Sequence, residues 1–327
     1  MSKITWGIIG CGNVTEKKSG PAFNKVPNSK LIAVMRRNAK KAADYAQRHN
    51  VGKWYDNAEQ LMNDNEINSV YVATPPASHM DYALAALKKG LNVYIEKPVT
   101  LNAGEAVKIA EAVKQSTGKV SIAHYRRGQP FFLKIKELLD AKAIGDVRTV
   151  QIRMWQSRKP AVITHLEDNW RVNPALSGGG YFHDLSPHQL DLMLYFFGEP
   201  QYYAGHGLNQ AGIHDCDDNV SGVLVFKNGV VVNGSWVFNV TEEASVDSCE
   251  IIGSEGSISF PFFNAPHTIK LKIGTSEEEI NFAPLEHVQQ PLIEKVVNYF
   301  NGEGENPSPI DDAIVLMKII DNFTSHH

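Results

Sequence analysis

The chain has 327 residues, with 32 lysines and arginines against 36 aspartates and glutamates and a formal net charge of −4. That length exceeds one ordinary domain and supplies apolar residues for two cores. With no block of like charge, the sequence offers no electrostatic footprint for nucleic acid or an anionic membrane, so small molecules and copies of itself are the expected partners.

Cys11, Cys216 and Cys249 are widely spaced and odd in number, which suits neither a disulfide framework nor a zinc site and points to a reducing compartment. The strand pattern ITWGIIG begins almost at once, and no run approaches the roughly 18 apolar residues of a membrane span. A cytoplasmic protein is expected.

From Ile4 to about His124, the β-rich runs ITWGII, KLIAVM, SVYVAT, LNVYI and KVSIAH alternate with helical patterns such as AKKAADYAQRH, HMDYALAALKKG and NAGEAVKIAEAVK. Parallel strands need crossover helices, so this alternation predicts a doubly wound α/β domain over residues 1–124. In such a sheet the ligand lies outside the carboxyl ends of the strands, so the residues just after each strand carry the information.

After the first strand comes GCGNVT, in which Gly10 allows a tight turn and Gly12, followed by Asn13 and Val14, opens the backbone to a pyrophosphate. Thr15 stands where the dinucleotide fingerprint has glycine or alanine. After the second strand there is no acid to hold a ribose 2′-hydroxyl; Arg36 and Arg37 stand there, which favours NADP(H) over NAD(H). NAD(H) stays open, since a solvated basic turn would read the same way.

TPPASH follows the next strand, with Thr74 and Pro75 expected at the cofactor, and His79 either there or simply in a first helical turn after Ser78. IEKPV then places Glu96 and Lys97 at another strand end, where both are candidate cofactor contacts. Pro98 holds Lys97 extended, and Glu96, its neighbour, points to the opposite side. An ammonium so directed could polarise a carbonyl or orient a hydroxyl.

Beyond Tyr125 a helix, PFFLKIKELLDA, precedes runs such as VRTVQIRMW, VSGVLVFK, GVVVNGSWVF and SCEIIG, with turns KNG, GSEGS and GTSEE. These predict an α+β domain over 125–327 with a mainly antiparallel sheet. The closing helices LEHVQQPLIEKVVNYF and IDDAIVLMKIIDNF are candidates to pack back on the first domain.

Within this part, Gly178, Gly179 and Gly180 precede a helix on which Asp184, His188 and Asp191 recur at spacings of four and three. The helix begins either near Tyr181 or at a capping box with Ser186 as N-cap, Pro187 at N1 and Gln189 at N3. His188 suits proton exchange near neutral pH, with a carboxylate to fix its tautomer, although a solvated polar face would show the same pattern. His183, Asp184 and His188 form no recognised ligand set, so no metal is expected.

GCGNV, ATPPASH, EKPV and WRVNPALSGGGYFHDLSPHQLD, in this order, resemble the Gfo/Idh/MocA oxidoreductases over nearly the whole chain. The resemblance implies a Rossmann domain followed by an α+β domain whose large open sheet serves dimer or tetramer contacts. It assigns Lys97 and His188 to catalysis, and Asp184 to substrate binding and to positioning His188. It implies a cis Lys97–Pro98 bond, places Trp170 and Arg171 near the nicotinamide, and puts Tyr125 and Arg126 by the cofactor or substrate. The activity it implies is hydride transfer between NADP(H) and a sugar, polyol or related cyclic alcohol. A glycosidase working by transient oxidation and a non-catalytic dinucleotide-binding regulator are the alternatives.

Overall fold

A computed structural model describes residues 3–160, 162–163 and 169–324. The chain divides into two compact units, one of Met1–Gln129 with Leu285–Ile314, the other of Pro130–Pro284 with Val315–His327.

The first unit alternates β1 (Ile4–Ile9), α1 (Asn13–Lys17), β2 (Ser29–Met35), α2 (Ala39–Arg48), β3 (Lys53–Tyr55), α3 (Ala58–Met62), β4 (Ser69–Val72), α4 (His79–Lys88), β5 (Asn92–Ile95), α5 (Ala103–Lys114) and β6 (Val120–Ile122). The strands form one parallel sheet of six in the order β3-β2-β1-β4-β5-β6. The reversal between β1 and β4 makes a switch point. β3 and α3 add to the elements read from sequence. Asparagines open α2, α3 and α5: Asn38 accepts from the N–H of Lys41, and Asn57 from Glu59 and Gln60. At α5, Asn102 accepts from Glu105 N while Glu105 accepts from Leu101 N, so two orphan donors are satisfied at one helix start.

The second unit contains α6 (Pro130–Asp140), β7 (Val147–Ser157), α7 (Pro174–Ser177), α8 (Gly180–Phe197) and then β8 (Pro200–Leu208), β9 (Asn219–Phe226), β10 (Val231–Val240), β11 (Val246–Gly253), β12 (Gly256–Phe260), β13 (His267–Ile273) and β14 (Ser276–Phe282). Its eight strands run β14-β13-β12-β11-β7-β10-β9-β8. Only β7 and β10 pair in parallel; the other pairs are antiparallel.

Two helices close the chain, α9 (Gln290–Phe300) and α10 (Ile310–Thr324). α9 belongs to the first unit, where Leu292, Ile293, Val296, Val297 and Phe300 join Trp6, Phe23 and Tyr94 in the core. From Val315 onward α10 belongs to the second unit. There Gly205 and Gly222, partners across β8 and β9, leave room for the Phe323 ring: a Cβ on Gly222 would stand 2.1 Å from it. Fully burying such a ring contributes ~1.5–3 kcal/mol.

Candidate active site

In the first unit the candidates sit where β1, β2, β4 and β5 end. Gly10 has φ +96°, and a Cβ there would meet Thr74 Cγ2 at 2.7 Å and Thr74 N at 2.9 Å, so only glycine lets these two loops touch. Gly12 has ordinary extended φ, and a Cβ there would meet nothing nearer than the Gly10 carbonyl at 3.8 Å. What Gly12 contributes is open space beside the backbone. Asn13 is exposed and Val14 half-buried. Thr15 is buried, its Oγ1 donating to the Gly12 carbonyl at 2.7 Å and its own carbonyl accepting from Tyr45 at 2.8 Å. A hydroxyl that folds back on the turn replaces the third small residue of the fingerprint.

Arg36 and Arg37 separate. Arg36 is half-buried and donates through Nη1 to the Cys11 carbonyl at 3.4 Å, which sets its guanidinium against the glycine loop; Arg37 is exposed. Between them, an open glycine backbone and a guanidinium at the end of β2 form a donor set that fits the phosphates of a dinucleotide. Burial pushes the Cys11 thiol up to about 11, so it is a packed side chain and no nucleophile.

His79 does not face a ligand. It is fully buried, with Nε2 2.7 Å from the Thr74 carbonyl and Nδ1 3.0 Å from the Pro98 carbonyl, so it ties the Thr74–Pro75 loop to the residue after Lys97 from behind. Burial pulls the ring toward its neutral form, while the Thr74 carbonyl and the charge of Glu96 oppose that pull. Thr74 Oγ1 accepts from Ser78 Oγ at 2.8 Å.

Glu96 is likewise turned inward. Its Oε1 accepts from the Tyr71 hydroxyl and from Gln289 Nε2, and its Oε2 from the N–H of Lys97 at 3.1 Å. With its oxygens committed to internal donors, Glu96 is a support for Lys97 and not a cofactor contact. Lys97 is the only residue from Val93 to Thr100 that is not buried, and the Lys97–Pro98 bond is cis. Tyr125 and Arg126 lie in a 3₁₀ turn, Tyr125–Gly128, both buried, with the Arg126 guanidinium 5.6 Å from the Tyr125 ring centroid.

In the second unit, α8 begins at Gly180, so Ser186 and Pro187 lie inside the helix and form no capping box. Gly180 has φ +80°, and its missing side chain leaves space for Cys216, 2.5 Å from where a Cβ would be. Nor is the face of Asp184, His188 and Asp191 solvated: they are 8%, 5% and 1% exposed. Burial of three polar side chains on one helix requires partners, and the structure supplies them. Arg171 Nε donates to Asp184 Oδ2 at 2.7 Å, and its guanidinium lies 4.7 Å from the Trp170 ring centroid. Trp170, Arg171 and Asp184 thus form one cluster. His188 meets the edge of Phe263 at 5.3 Å between centroids. His183, on the preceding turn, packs against Gly179 and is pushed down to about 4 by burial, so it stays neutral and is no proton carrier at pH 7.

One contributor lacked any motif. Asp247 on β11 accepts from the backbone N–H groups of Phe262, Phe263 and Asn264 at 3.0, 2.6 and 2.8 Å, and this pins the turn that brings Phe263 to His188. Asp247 stands just before the run SCEIIG, and only the bare charge of an acid marks it there. Among the described residues no three His, Cys, Asp or Glu side chains gather as metal ligands, and no helix is long and apolar enough to cross a membrane.

Residues 4–124 match the oxidoreductase family with an NAD-binding Rossmann fold, and residues 132–259 match the GFO/IDH/MocA C-terminal domain. Oxidoreductase P35 of Formosa agariphila is 49% identical over 322 residues, 98% of each chain. Levoglucosan dehydrogenase, solved with NADH and levoglucosan, superposes with TM-score 0.85 at 21% identity, covering 98% of this chain and 96% of that one. A 3-ketoreductase from Actinomadura kijaniata, solved with NADP and TDP-benzene, gives TM-score 0.85 at 17% identity, covering 99% and 98%. The chain belongs to the Gfo/Idh/MocA family and is an NAD(P)-dependent oxidoreductase.

Proposed function

We propose that this oxidoreductase prefers NADP(H) and acts on a CH–OH carbon of a sugar, polyol or related cyclic alcohol. The observation that carries the cofactor preference is Arg36, whose guanidinium is held against the glycine loop where an acid would select the 2′-hydroxyl. Gly10, Gly12, Asn13, Val14, Thr74 and Pro75 hold the dinucleotide, with Trp170 and Arg171 toward the nicotinamide. Bound there, the nicotinamide supplies the hydride acceptor or donor.

The chain's own residues manage the oxygen and its proton. Lys97 Nζ holds the reacting oxygen and stabilises its developing negative charge, and the His188 imidazole takes the hydroxyl proton in oxidation and returns it in reduction. Asp184, itself anchored by Arg171, orients His188 and binds a substrate hydroxyl. Tyr125 and Arg126 complete the substrate contacts. The named substrates of relatives, levoglucosan among them, support the carbohydrate class. The enzyme works in the cytoplasm as a homodimer or homotetramer. Buried thiols at Cys11, Cys216 and Cys249, all raised by burial, suit that compartment.

Fluorescence titration with NADPH and NADH at fixed ionic strength tests the cofactor reading. NADPH is expected to bind at least tenfold tighter, about 1.4 kcal/mol, and Arg36→Gln to remove most of that margin. Equal affinities in the native enzyme would overturn it. Light scattering during gel filtration tests the oligomer.

A further inference from the structure

A cavity of about 510 Å³ lies at the end of the large sheet, lined by residues 156–159 where β7 ends, by residues 240–242 and Ser245 from the end of β10 to the start of β11, and by Asn264. Its position follows from the strand directions. β7 and β10 run parallel and finish together, Ser157 opposite Val240, while β11 starts beside them, Val246 opposite Trp155. The volume is that of a small-molecule site, for which ~300–1,000 Å³ is usual.

The cavity adjoins the catalytic helix through one turn. The three N–H groups collected by Asp247 fix Phe263 and Asn264 in succession, so the ring that meets His188 and the amide that lines the cavity are neighbours on one rigid loop. Its lining includes hydroxyl side chains at Ser157, Thr241 and Ser245 and amide side chains at Gln156 and Asn264, donors and acceptors of the kind a carbohydrate uses. The lining also carries two cations, Arg158 and Lys159, against one carboxylate, Glu242. Both basic residues are exposed, and Ser157 Oγ donates to the Lys159 carbonyl at 3.2 Å, which fixes the backbone that carries them. Among the described residues neither cation forms an ion pair. An exposed guanidinium and an exposed ammonium, from successive residues that line one cavity, supply the charge and donors that an oxyanion takes.

We infer that this cavity is a subsite for an anionic group on the sugar, with Arg158 and Lys159 as the residues that select it. The substrate class is then an acidic sugar, bearing a carboxylate, sulfate or phosphate remote from the carbon that His188 serves. The inference rests on the carbohydrate-oxidoreductase reading above.

The test is isothermal titration of the full chain, with and without NADP, using D-glucose, D-glucuronate, glucose 6-sulfate and glucose 6-phosphate. At least one acidic sugar is expected to bind tenfold or more tighter than glucose, and the tightest identifies the anion. Arg158→Gln and Lys159→Gln are each expected to reduce that ratio to threefold or less, with unchanged melting temperature, and Glu242→Gln to raise it. Equal binding of glucose and the acids, binding of none, or a ratio that survives both substitutions would overturn the subsite. The two readings fail separately. An intact anion preference without cofactor-dependent turnover would sink the oxidoreductase chemistry and leave the subsite, whereas turnover of neutral sugars with no anion preference would do the reverse.

Discussion

Each site candidate between β1 and β6 leaves the end of a parallel strand, whereas those of the second unit are spread along one buried helix and depend on turns far away in sequence. The contrast is sharpest in the two carboxylates. Glu96 is answered by neutral donors, the Tyr71 hydroxyl, the Gln289 amide and a backbone N–H. Asp184 is answered by a guanidinium. A carboxylate held by neutral dipoles fixes a backbone, here that of Lys97. One held by a cation forms a charged pair that neither partner can leave cheaply. The first arrangement is scaffolding for a loop; the second belongs to the proposed site.

The strongest way to break this comparison is to remove the proposed proton carrier. His188→Asn is expected to lower kcat by about 10²–10⁴ while NADPH affinity in a fluorescence titration stays within twofold. A parallel loss of cofactor affinity would mean that His188 organises the fold around it and carries no proton. The second test breaks the ion pair. Arg171 and Asp184 are 17% and 11% exposed at their side chains, so truncating the acid leaves a poorly solvated guanidinium. Asp184→Ala is expected to cost about 3 kcal/mol in guanidinium-chloride unfolding, near the low end for a buried pair. Arg171→Met combined with Asp184→Leu is expected to recover most of it, and strictly additive losses would show that the two side chains are not coupled.

The parallel sheet was legible because its chemistry is local. A strand, a turn and a helix follow one another within a short stretch, so GCGNVT, TPPASH and EKPV announce both the fold and the edge where a ligand binds. What escaped was either too short or too distant. β3 and α3, at three and five residues, are below the length at which periodicity means anything. The start of α8 was ambiguous because Ser186, Pro187 and Gln189 satisfy local capping rules. Burial of the whole helix under tertiary packing overrode them. His79 and Glu96 stand in motifs at the ligand edge, which makes them candidates there. Their inward orientation depends on the Pro98 carbonyl and on Gln289, 193 residues beyond Glu96. Asp247 and the turn it pins have no motif at all, since three backbone donors leave no trace in the identities of the residues that offer them.

The scaffolding role of Glu96 is sharpened by Glu96→Gln. The amide keeps the shape but presents an NH₂ where either an internal donor or the Lys97 N–H needs an acceptor. About 1–3 kcal/mol of stability is expected to be lost for that mismatch. Because the change loosens the segment that directs Lys97, kcat is expected to fall while KM for the cofactor changes little. An unaltered kcat would detach Lys97 from this network.

The smallest effect is expected at the far side of the glycine loop, where a third carboxylate combines both habits. Glu16 on α1 accepts from Arg48 Nη1 and Nη2 at 2.8 and 2.9 Å and sits 2.7 Å from His49 Nε2, so it anchors α1 to the end of α2. The Arg48 fork holds its carboxyl down at about 2. The folded state therefore binds fewer protons than the unfolded chain between that value and the ordinary glutamate pKa of about 4.3. The stability so contributed is complete above the ordinary pKa and drains away as pH falls toward 2. With Arg48 about half exposed, solvent screening reduces it to about 1 kcal/mol. Glu16→Gln is expected to remove that increment at pH 7 and to leave the stability difference from the native enzyme near zero at pH 2.5, read from urea unfolding at both values. Since α1 follows Gly12 directly, the same variant is expected to weaken NADPH binding twofold to fivefold at neutral pH, through a loop that is less well anchored and not through any lost contact.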